Sequence, residues 1–385
     1  MRQKEFIDVE GALNLAAICE ELGASRIFLV TGKSSYDSSG ARALIEKALE
    51  GRRIHRYSEF SEGPNFEDVI EGVTFFKELN PDLVVAIGGG TALDMAKSIN
   101  AFQAHEKDVD LLDLVTGKES IKSQGVPLVA LPTTAGTGSE ATHFAVMYVE
   151  GQKYSLAHDS MLPDYAIVDP RLTHGQSAYV TACTGFDALC QAVESYWAQD
   201  ATEESQLYAS RAVVTLLENI RTAVDQPTPP VRTSMSVAAN LAGKAINISK
   251  TTGPHALSYG LTRHYGVPHG HAVALMMGGF LKLHDRMGQQ ARRVQTPQRH
   301  GDFTSIMRQL FTWMGVESVG DATKYWNKLM QTCGLEVNLR KFGVTTSRDV
   351  DVILKRVNLE RLENHPVPVS PEMMRALLEA LRGDA

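Results

Sequence analysis

Residues 83–99 read LVVAIGGGTALDMAKSI. Five apolar residues run without interruption into three glycines, and the letters that follow place apolar side chains at helical spacing. The pattern predicts a buried strand that turns directly into a helix. At such a turn free backbone N–H groups and the helix dipole can receive a phosphate, and glycines let its oxygens come close. The run is not GxGxxG, so the usual dinucleotide fingerprint is absent, and a tight turn without a ligand would use the same letters.

The same unit recurs on either side. Residues 26–30 (RIFLV) predict a strand, followed by a Gly/Ser-rich turn and the helical pattern ARALIEKALEG. Residues 54–60 suit a second strand and 66–79 an amphipathic helix. Residues 127–131 predict a strand that ends in PTTAGTGSEAT, a second loop rich in hydroxyls and glycine. Alternating strands and helices, with strands apolar throughout, predict a mostly parallel sheet covered on both faces. Two such loops at strand ends favour a dinucleotide, whose pyrophosphate and ribose need separate cradles.

From about residue 177 the strand signals stop. Residues 178–198, 203–224, 231–248 and 273–283 all carry helical periodicity, and the polar stretch 289–302 (QQARRVQTPQRHGD) reads as a mobile loop or helix end. The fold class expected is therefore an α/β N-terminal dinucleotide-binding domain, residues 1–170, followed by an all-α metal-binding domain, residues 171–385. A chain of 385 residues suits two cores. A net charge of -7 gives no general attraction to nucleic acid or anionic membranes, and no apolar run approaches a membrane span. The start, MRQKEFIDVEGALN, lacks the apolar core of a signal peptide. Four scattered cysteines with no CxxC pair suit a reducing cytoplasm.

In the second half, Asp187 and Gln191 are four apart and share a helix face. The stretch 251–271, TTGPHALSYGLTRHYGVPHGH, holds four of the 12 histidines. His255 and His269 lie on either side of the break Gly266-Val267-Pro268, which lets two helices present them to one point. One carboxylate and two imidazoles make a mixed oxygen/nitrogen site for a divalent transition metal such as Fe2+ or Zn2+. His264 and His271 read as supporting or surface residues.

The chain resembles the iron-dependent (group III) alcohol dehydrogenases over essentially its whole length. The matching pieces are GGGTALDMAK (88–97), LPTTAGTGSEAT (131–142), LPDYAIVDP (162–170), GFDAL (185–189) and GPHALSYGLTRHYGVPHG (253–270), in the family's order. The resemblance puts Asp187, His255 and His269 on metal-ligand positions. It puts Gly89, Gly90, Thr91, Asp94, Thr133, Thr134 and Thr137 on cofactor positions, with Lys153 as a further cofactor contact. It also implies a small-molecule aldehyde substrate and a homo-oligomer.

Three departures from the family's pattern carry information. A fourth ligand, usually histidine, is Gln191 here, which can coordinate weakly through its amide oxygen or hold a metal-bound water. A histidine four positions after the first metal histidine, often credited with proton relay, is Tyr259. After the first strand the family's NAD users tend to carry an Asp. This chain has Thr31-Gly32-Lys33-Ser34-Ser35 instead, which favours NADPH, with Gly32 leaving room for a 2′-phosphate and Lys33 pairing with it.

The 251–275 pattern looks closest to the branch that reduces phosphonoacetaldehyde to 2-hydroxyethylphosphonate. On that reading Lys250, Thr251 and Thr252, ahead of the His255 helix, would receive the phosphonate. The alternative within the family is a dehydrogenase of small uncharged aldehydes and diols. A lyase of the dehydroquinate synthase kind would keep the fold. It needs a denser array of Lys, Arg and His than this sequence has, and steady NADPH consumption would separate the two. A decayed, non-catalytic metal protein is the remaining reading, opposed by the retained glycine turns and ligand set.

Overall fold

The computed structural model describes residues 3–61, 63–105, 109–122, 124–287 and 303–383, so the expectation for residues 289–302 lies outside the described residues. The chain divides into two compact units, Met1–Gln176 and Ser177–Ala385.

The first unit is built on six parallel strands in the order β1-β8-β5-β4-β2-β3. They are β1 (Lys4–Ile7), β2 (Arg26–Thr31), β3 (Arg53–Tyr57), β4 (Leu83–Gly88), β5 (Leu128–Pro132) and β8 (Tyr165–Val168). A separate antiparallel hairpin joins β6 (Phe144–Val149) to β7 (Gln152–Ala157). Side chains alternate across each strand, and the sheet sorts them into two cores. Phe28, Val30, Val84, Ala86, Leu128 and Ala130 fall in one, and Ile27, Leu29, Leu83, Val85, Ile87, Val129 and Leu131 in the other. Burial on both faces is what the unbroken apolar runs encode, at about 1.5–3 kcal/mol for each fully buried Val, Leu, Ile or Phe.

From β2 the chain steps outward to β3, then crosses to β4 and continues the other way. The order thus reverses between β2 and β4, and ligands of such sheets bind outside the carboxyl ends of the strands at that point. Thr31 pairs with Ile87 and Gly88 with Pro132. The turns after β2, β4 and β5 therefore emerge side by side.

The second unit has no strand among its described residues. Helix Ala178–Trp197 runs through it and is buried along nearly its whole length. Around it stand Glu203–Asp225, Pro229–Ser249, Gly253–Tyr265, His269–Met287, Phe303–Met314 and Val319–Thr332. Its two fully buried tryptophans spend their N–H groups internally: Trp197 donates to Thr252 Oγ1 and Trp326 to the Ala274 carbonyl, both at 2.9 Å. An unpaired indole there would cost a hydrogen bond's desolvation.

The division falls after Gln176 rather than at Pro170. The Asp169 carboxylate accepts from Ala12 N, and Gln176 Nε2 donates to the Thr133 carbonyl, so residues 170–176 belong to the first unit. Ser177 then caps the long helix, its side chain accepting from Val180 N. No helix among the described residues is long and apolar enough to cross a membrane.

Candidate functional site

Three ligand atoms of Asp187, His255 and His269 lie within 4.8 Å of one another. Asp187 Oδ1 is 3.4 Å from His255 Nε2 and 3.9 Å from His269 Nε2. Ligands about 2.1 Å from one ion at tetrahedral angles stand about 3.4 Å apart, so these spacings suit a shared cation. The local sequence builds the arrangement. Pro254 occupies the first turn of the His255 helix, whose free N–H it does not need. Gly266 ends that helix at φ 65, a left-handed conformation that favours glycine. His269 then opens the next helix, and Gly270 lets it approach closely: a Cβ there would stand 2.0 Å from the Cys183 carbonyl oxygen.

Gln191 stands one turn after Asp187, and its buried Oε1 has no hydrogen-bond partner among the described residues. An orphaned amide oxygen costs about 1–3 kcal/mol unless something else satisfies it. A cation held by Asp187, His255 and His269 would do so, and the donor set fits a divalent transition metal. Tyr259 joins the site by laying its ring on His269, centroids 5.9 Å apart and planes 18° from parallel. His264 is exposed. His271 is turned away, its Nε2 on the Glu336 carbonyl at 2.7 Å and its Nδ1 3.3 Å from Tyr179 Oη.

Sequence reading missed Glu194, a further turn along the same face as Asp187 and Gln191. It is fully buried, with Oε1 2.5 Å from His255 Nδ1. Burial works against protonation of His255, but Glu194 and Asp187 outweigh it and carry the imidazole up to about 9. The signal was the 187-191-194 spacing, which a solvated glutamate would share.

Glu194 also overturns the anion site expected at Lys250, Thr251 and Thr252. Its Oε2 accepts from Thr252 N at 2.7 Å, Thr252 Oγ1 at 3.0 Å and His255 N at 3.4 Å. The next N–H, of Gly253, points at His365 Nδ1. The N-terminus of this helix is therefore filled by the protein's own groups. Thr251 and Thr252 are buried, and Lys250 pairs with Glu360 at 2.8 Å.

In the first unit most of the residues expected to hold the cofactor gather at the reversal point. Gly32 N donates to Ile87 O at 3.2 Å and Thr133 N to Gly88 O at 2.9 Å. Gly89 is the N-cap of helix Gly90–Gln103 and offers no side-chain cap. Its neighbour Gly90 leaves a space that a Cβ would fill, 2.8 Å from Thr137 Cγ2, and Gly89 faces Thr134. Thr91 lies in the first turn, half-buried. Thr133 Oγ1 is buried with no partner among the described residues. An uncapped helix N-terminus with glycine space and hydroxyls beside it fits a dinucleotide's phosphates.

Asp94 and Lys33, expected at the cofactor, have partners of their own, and Lys153 lies near Asp94. Asp94 accepts from Ser139 Oγ at 2.6 Å and Val146 N at 3.0 Å, tying the helix to the second loop. Burial raises its pKa, against the pull of Lys97, Ser139, Val146 and Lys153. Lys153 stands half-buried on β7. Lys33 Nζ is 2.7 Å from Glu59, a mostly exposed pair of small worth.

Two cations escaped the sequence reading. Arg56, at the end of β3, donates to Thr31 Oγ1 at 2.7 Å and to the Gly32 and Lys33 carbonyls at 3.3 Å. It lies over the Tyr36 ring, so a guanidinium is fixed beside the turn after β2. Lys97 is buried, donating to Ser139 Oγ, Thr142 O, Thr142 Oγ1 and Phe144 O within 3.0 Å.

Comparison with known proteins agrees with this geometry. The description "Iron-containing alcohol dehydrogenase" matches residues 5–170, and "Fe-containing alcohol dehydrogenase family, C-terminal" matches residues 181–382. Long-chain-alcohol dehydrogenase 1 of Geobacillus thermodenitrificans is 31% identical over 96% of this chain and 93% of its own length. The 1,3-propanediol dehydrogenase of Klebsiella pneumoniae is 29% identical over 85% of this chain and 83% of its own. Among solved structures, sulfoacetaldehyde reductase from Bifidobacterium kashiwanohense in complex with NAD+ superposes with a TM-score of 0.87 at 27% identity. That match covers 100% of this chain and 98% of the other. Sheet, helical unit and ligand cluster thus converge with the sequence matches: the chain belongs to the iron-containing alcohol dehydrogenase family, oxidoreductases of alcohols and aldehydes that use a nicotinamide cofactor.

Proposed function

We propose that the protein reduces phosphonoacetaldehyde to 2-hydroxyethylphosphonate with NADPH, using a divalent iron site in its second unit. The observation that carries the reaction type is the cluster of Asp187, His255 and His269 beside the orphaned Gln191 oxygen. Those four residues would hold the ion, Fe2+ or alternatively Zn2+. A divalent ion there supplies Lewis-acid polarisation of a carbonyl oxygen, and the nicotinamide supplies hydride. Tyr259, stacked on His269, is placed to pass a proton from its phenol to the new alkoxide. N–H groups at Gly90 and Thr91 receive the pyrophosphate, and Thr133, Thr134 and Thr137 offer hydroxyls. Thr31–Ser35 carries no acid and Arg56 is fixed beside it, which supports NADPH. Four buried free cysteines suit a cytoplasmic setting, and a homo-oligomer is the expected assembly.

Support for the substrate comes from the 251–275 pattern and from the likeness to a sulfoacetaldehyde reductase, whose substrate also carries an acid one carbon from an aldehyde. A general reductase of small uncharged aldehydes is the second reading. It is favoured by the filled N-terminus of the His255 helix, which leaves the phosphonate's partners unassigned. The two separate in one assay with unmodified enzyme and saturating NADPH. One charge-assisted contact is worth about 1.5–3 kcal/mol, so kcat/KM should favour phosphonoacetaldehyde over propanal by at least about tenfold for each contact. Equal or better use of propanal would discard the phosphonate reading in favour of the second.

A further inference from the structure

We propose that Glu194 is the positioning residue of the metal centre, fixing which nitrogen of His255 faces the ion. This rests on the reading of Asp187, His255 and His269 as ligands. An ionised carboxylate only accepts hydrogen bonds, so Glu194 Oε1 at 2.5 Å from Nδ1 keeps a proton on that nitrogen. Nε2, facing Asp187 at 3.4 Å, then has its lone pair for a cation. Such carboxylate–histidine pairs orient a metal ligand and raise its basicity.

The other oxygen makes the arrangement one-way. Oε2 accepts from the backbone N–H groups of Thr252 and His255 and from the Thr252 hydroxyl. That hydroxyl donates because a carboxylate oxygen only accepts, and its own oxygen accepts from Trp197 Nε1 at 2.9 Å. Three donors therefore converge on one oxygen, and two of them are backbone N–H groups that cannot reverse. Trp197 sits on the same helix as Glu194 and Asp187, so a single helix supplies a candidate ligand, the carboxylate that orients a second ligand, and the donor that orients the carboxylate's partner.

Glu194→Gln separates this role from simple helix capping, because it is isosteric. The amide oxygen must stay on the three donors, since turning the NH2 group towards them would set donor against donor. Its NH2 then faces His255 Nδ1 and needs a lone pair there, which moves the imidazole proton to Nε2, the nitrogen required for the ion. A capping role survives the change; a positioning role does not.

The experiment loads stripped unmodified protein and Glu194→Gln with Zn2+ against a chromophoric chelator, and follows thermal unfolding of both stripped proteins. Metal affinity is expected to fall about 10- to 100-fold, with the stripped variant less stable, having lost the carboxylate partner of a buried imidazole, but still unfolding in one cooperative transition. Equal affinities in two folded proteins would overturn the inference while leaving the ligand set standing. Absence of a stoichiometric ion from the unmodified protein, or its full retention in His255→Ala, would overturn the ligand set and the inference with it. A second measurement needs no variant. Unmodified protein loaded with Co2+ should show a strongly shifted imidazole N–H proton, protected from exchange by burial, seen in H2O and lost in D2O. Lack of that resonance would overturn the inference on its own.

Discussion

Gly270→Ala tests whether two helices, rather than one motif, make the metal centre. The new Cβ would lie 2.0 Å from the Cys183 carbonyl oxygen, 3.0 Å from its carbonyl carbon and 2.8 Å from Asp187 Cβ. Two of these atoms are backbone and cannot rotate away. Contacts below 3.0 Å are essentially never tolerated, so helix His269–Met287 must retreat from Ala178–Trp197 by about 1 Å or more. His269 would move with it, away from an Asp187 oxygen now 3.9 Å distant. Metal–ligand distances hold within about 0.2 Å, so a shift of that size should lower metal affinity severely. Misplacement by about 1 Å costs about 100-fold in rate, and overpacking should remove about 1–3 kcal/mol of stability. Metal content after dialysis, Zn2+ competition, kcat/KM and denaturant unfolding together read the result. Gly266→Ala is the control. It strains a residue at φ 65 but meets no atom within 4 Å, so it should cost about 1 kcal/mol and leave metal affinity near its original value. Unaltered affinity and turnover in Gly270→Ala would refute the claim that close approach of these helices forms the site.

Gln191→Ala should weaken metal binding less than His255→Ala does, because three ligands remain; equal losses in a competition titration would make Gln191 an essential ligand. Gly32→Asp alone would place a Cβ 2.1 Å from Ser35 Oγ, so the cofactor test is the pair Gly32→Asp with Ser35→Ala. It should turn a kcat/KM preference for NADPH into one for NADH through repulsion of the 2′-phosphate, and an unchanged preference would clear this turn of any role in the choice. Lys97→Met leaves Ser139, Thr142 and Phe144 acceptors and the Asp94 carboxylate without their cation, and should cost about 3–5 kcal/mol in unfolding free energy. Burial holds Lys97 down at about 8 in the folded chain, against an ordinary 10.5 and the opposing pull of Asp94 and Glu140. Between those values the unfolded chain binds more protons at this site, so rising pH favours the folded state there. The unmodified protein's margin over the variant should widen from pH 8 to pH 10, and a flat margin would contradict the buried cation.

The central sheet was legible because its strands are buried on both faces, and an apolar run such as LVVAI, closed by glycines, is too short for a buried helix. Residues 26–30, 83–87 and 127–131 fall within or against β2, β4 and β5. One edge, β3, was read as a strand at residues 54–60, and the other was not legible. Lys4–Ile7 is only two charged residues followed by two apolar ones, with no strand alternation, and becomes a strand by pairing with Tyr165–Val168, about 160 residues away. No local pattern reports such a pairing. The β6–β7 hairpin did leave a trace in Gly151, whose φ of 78 follows Glu150 at 48 to close a two-residue turn. Glu150 is a poor turn former, and it hid the signal.

The candidate site divides along the same line between local and distant information. Asp187, Gln191, His255 and His269 could be picked out because spacing on a helix, and a break between helices, are written in short stretches of chain. Lys250, Thr251 and Thr252 were misread for the opposite reason. Sequence shows that a helix begins at Gly253, and every helix begins with N–H groups lacking partners within it. It does not show whether those groups face a ligand or another helix. Here Glu194, 58 residues earlier in the chain, already supplies the carboxylate. A second anion against that oxygen would meet like charge where the N–H groups of Thr252, Gly253 and His255 are already engaged. The phosphonate reading therefore survives only if its charge is met at another face of the site. On the proposal above, the filled helix terminus would instead act on the metal, because the donors that hold Glu194 in place also leave His255 Nε2 bare towards Asp187.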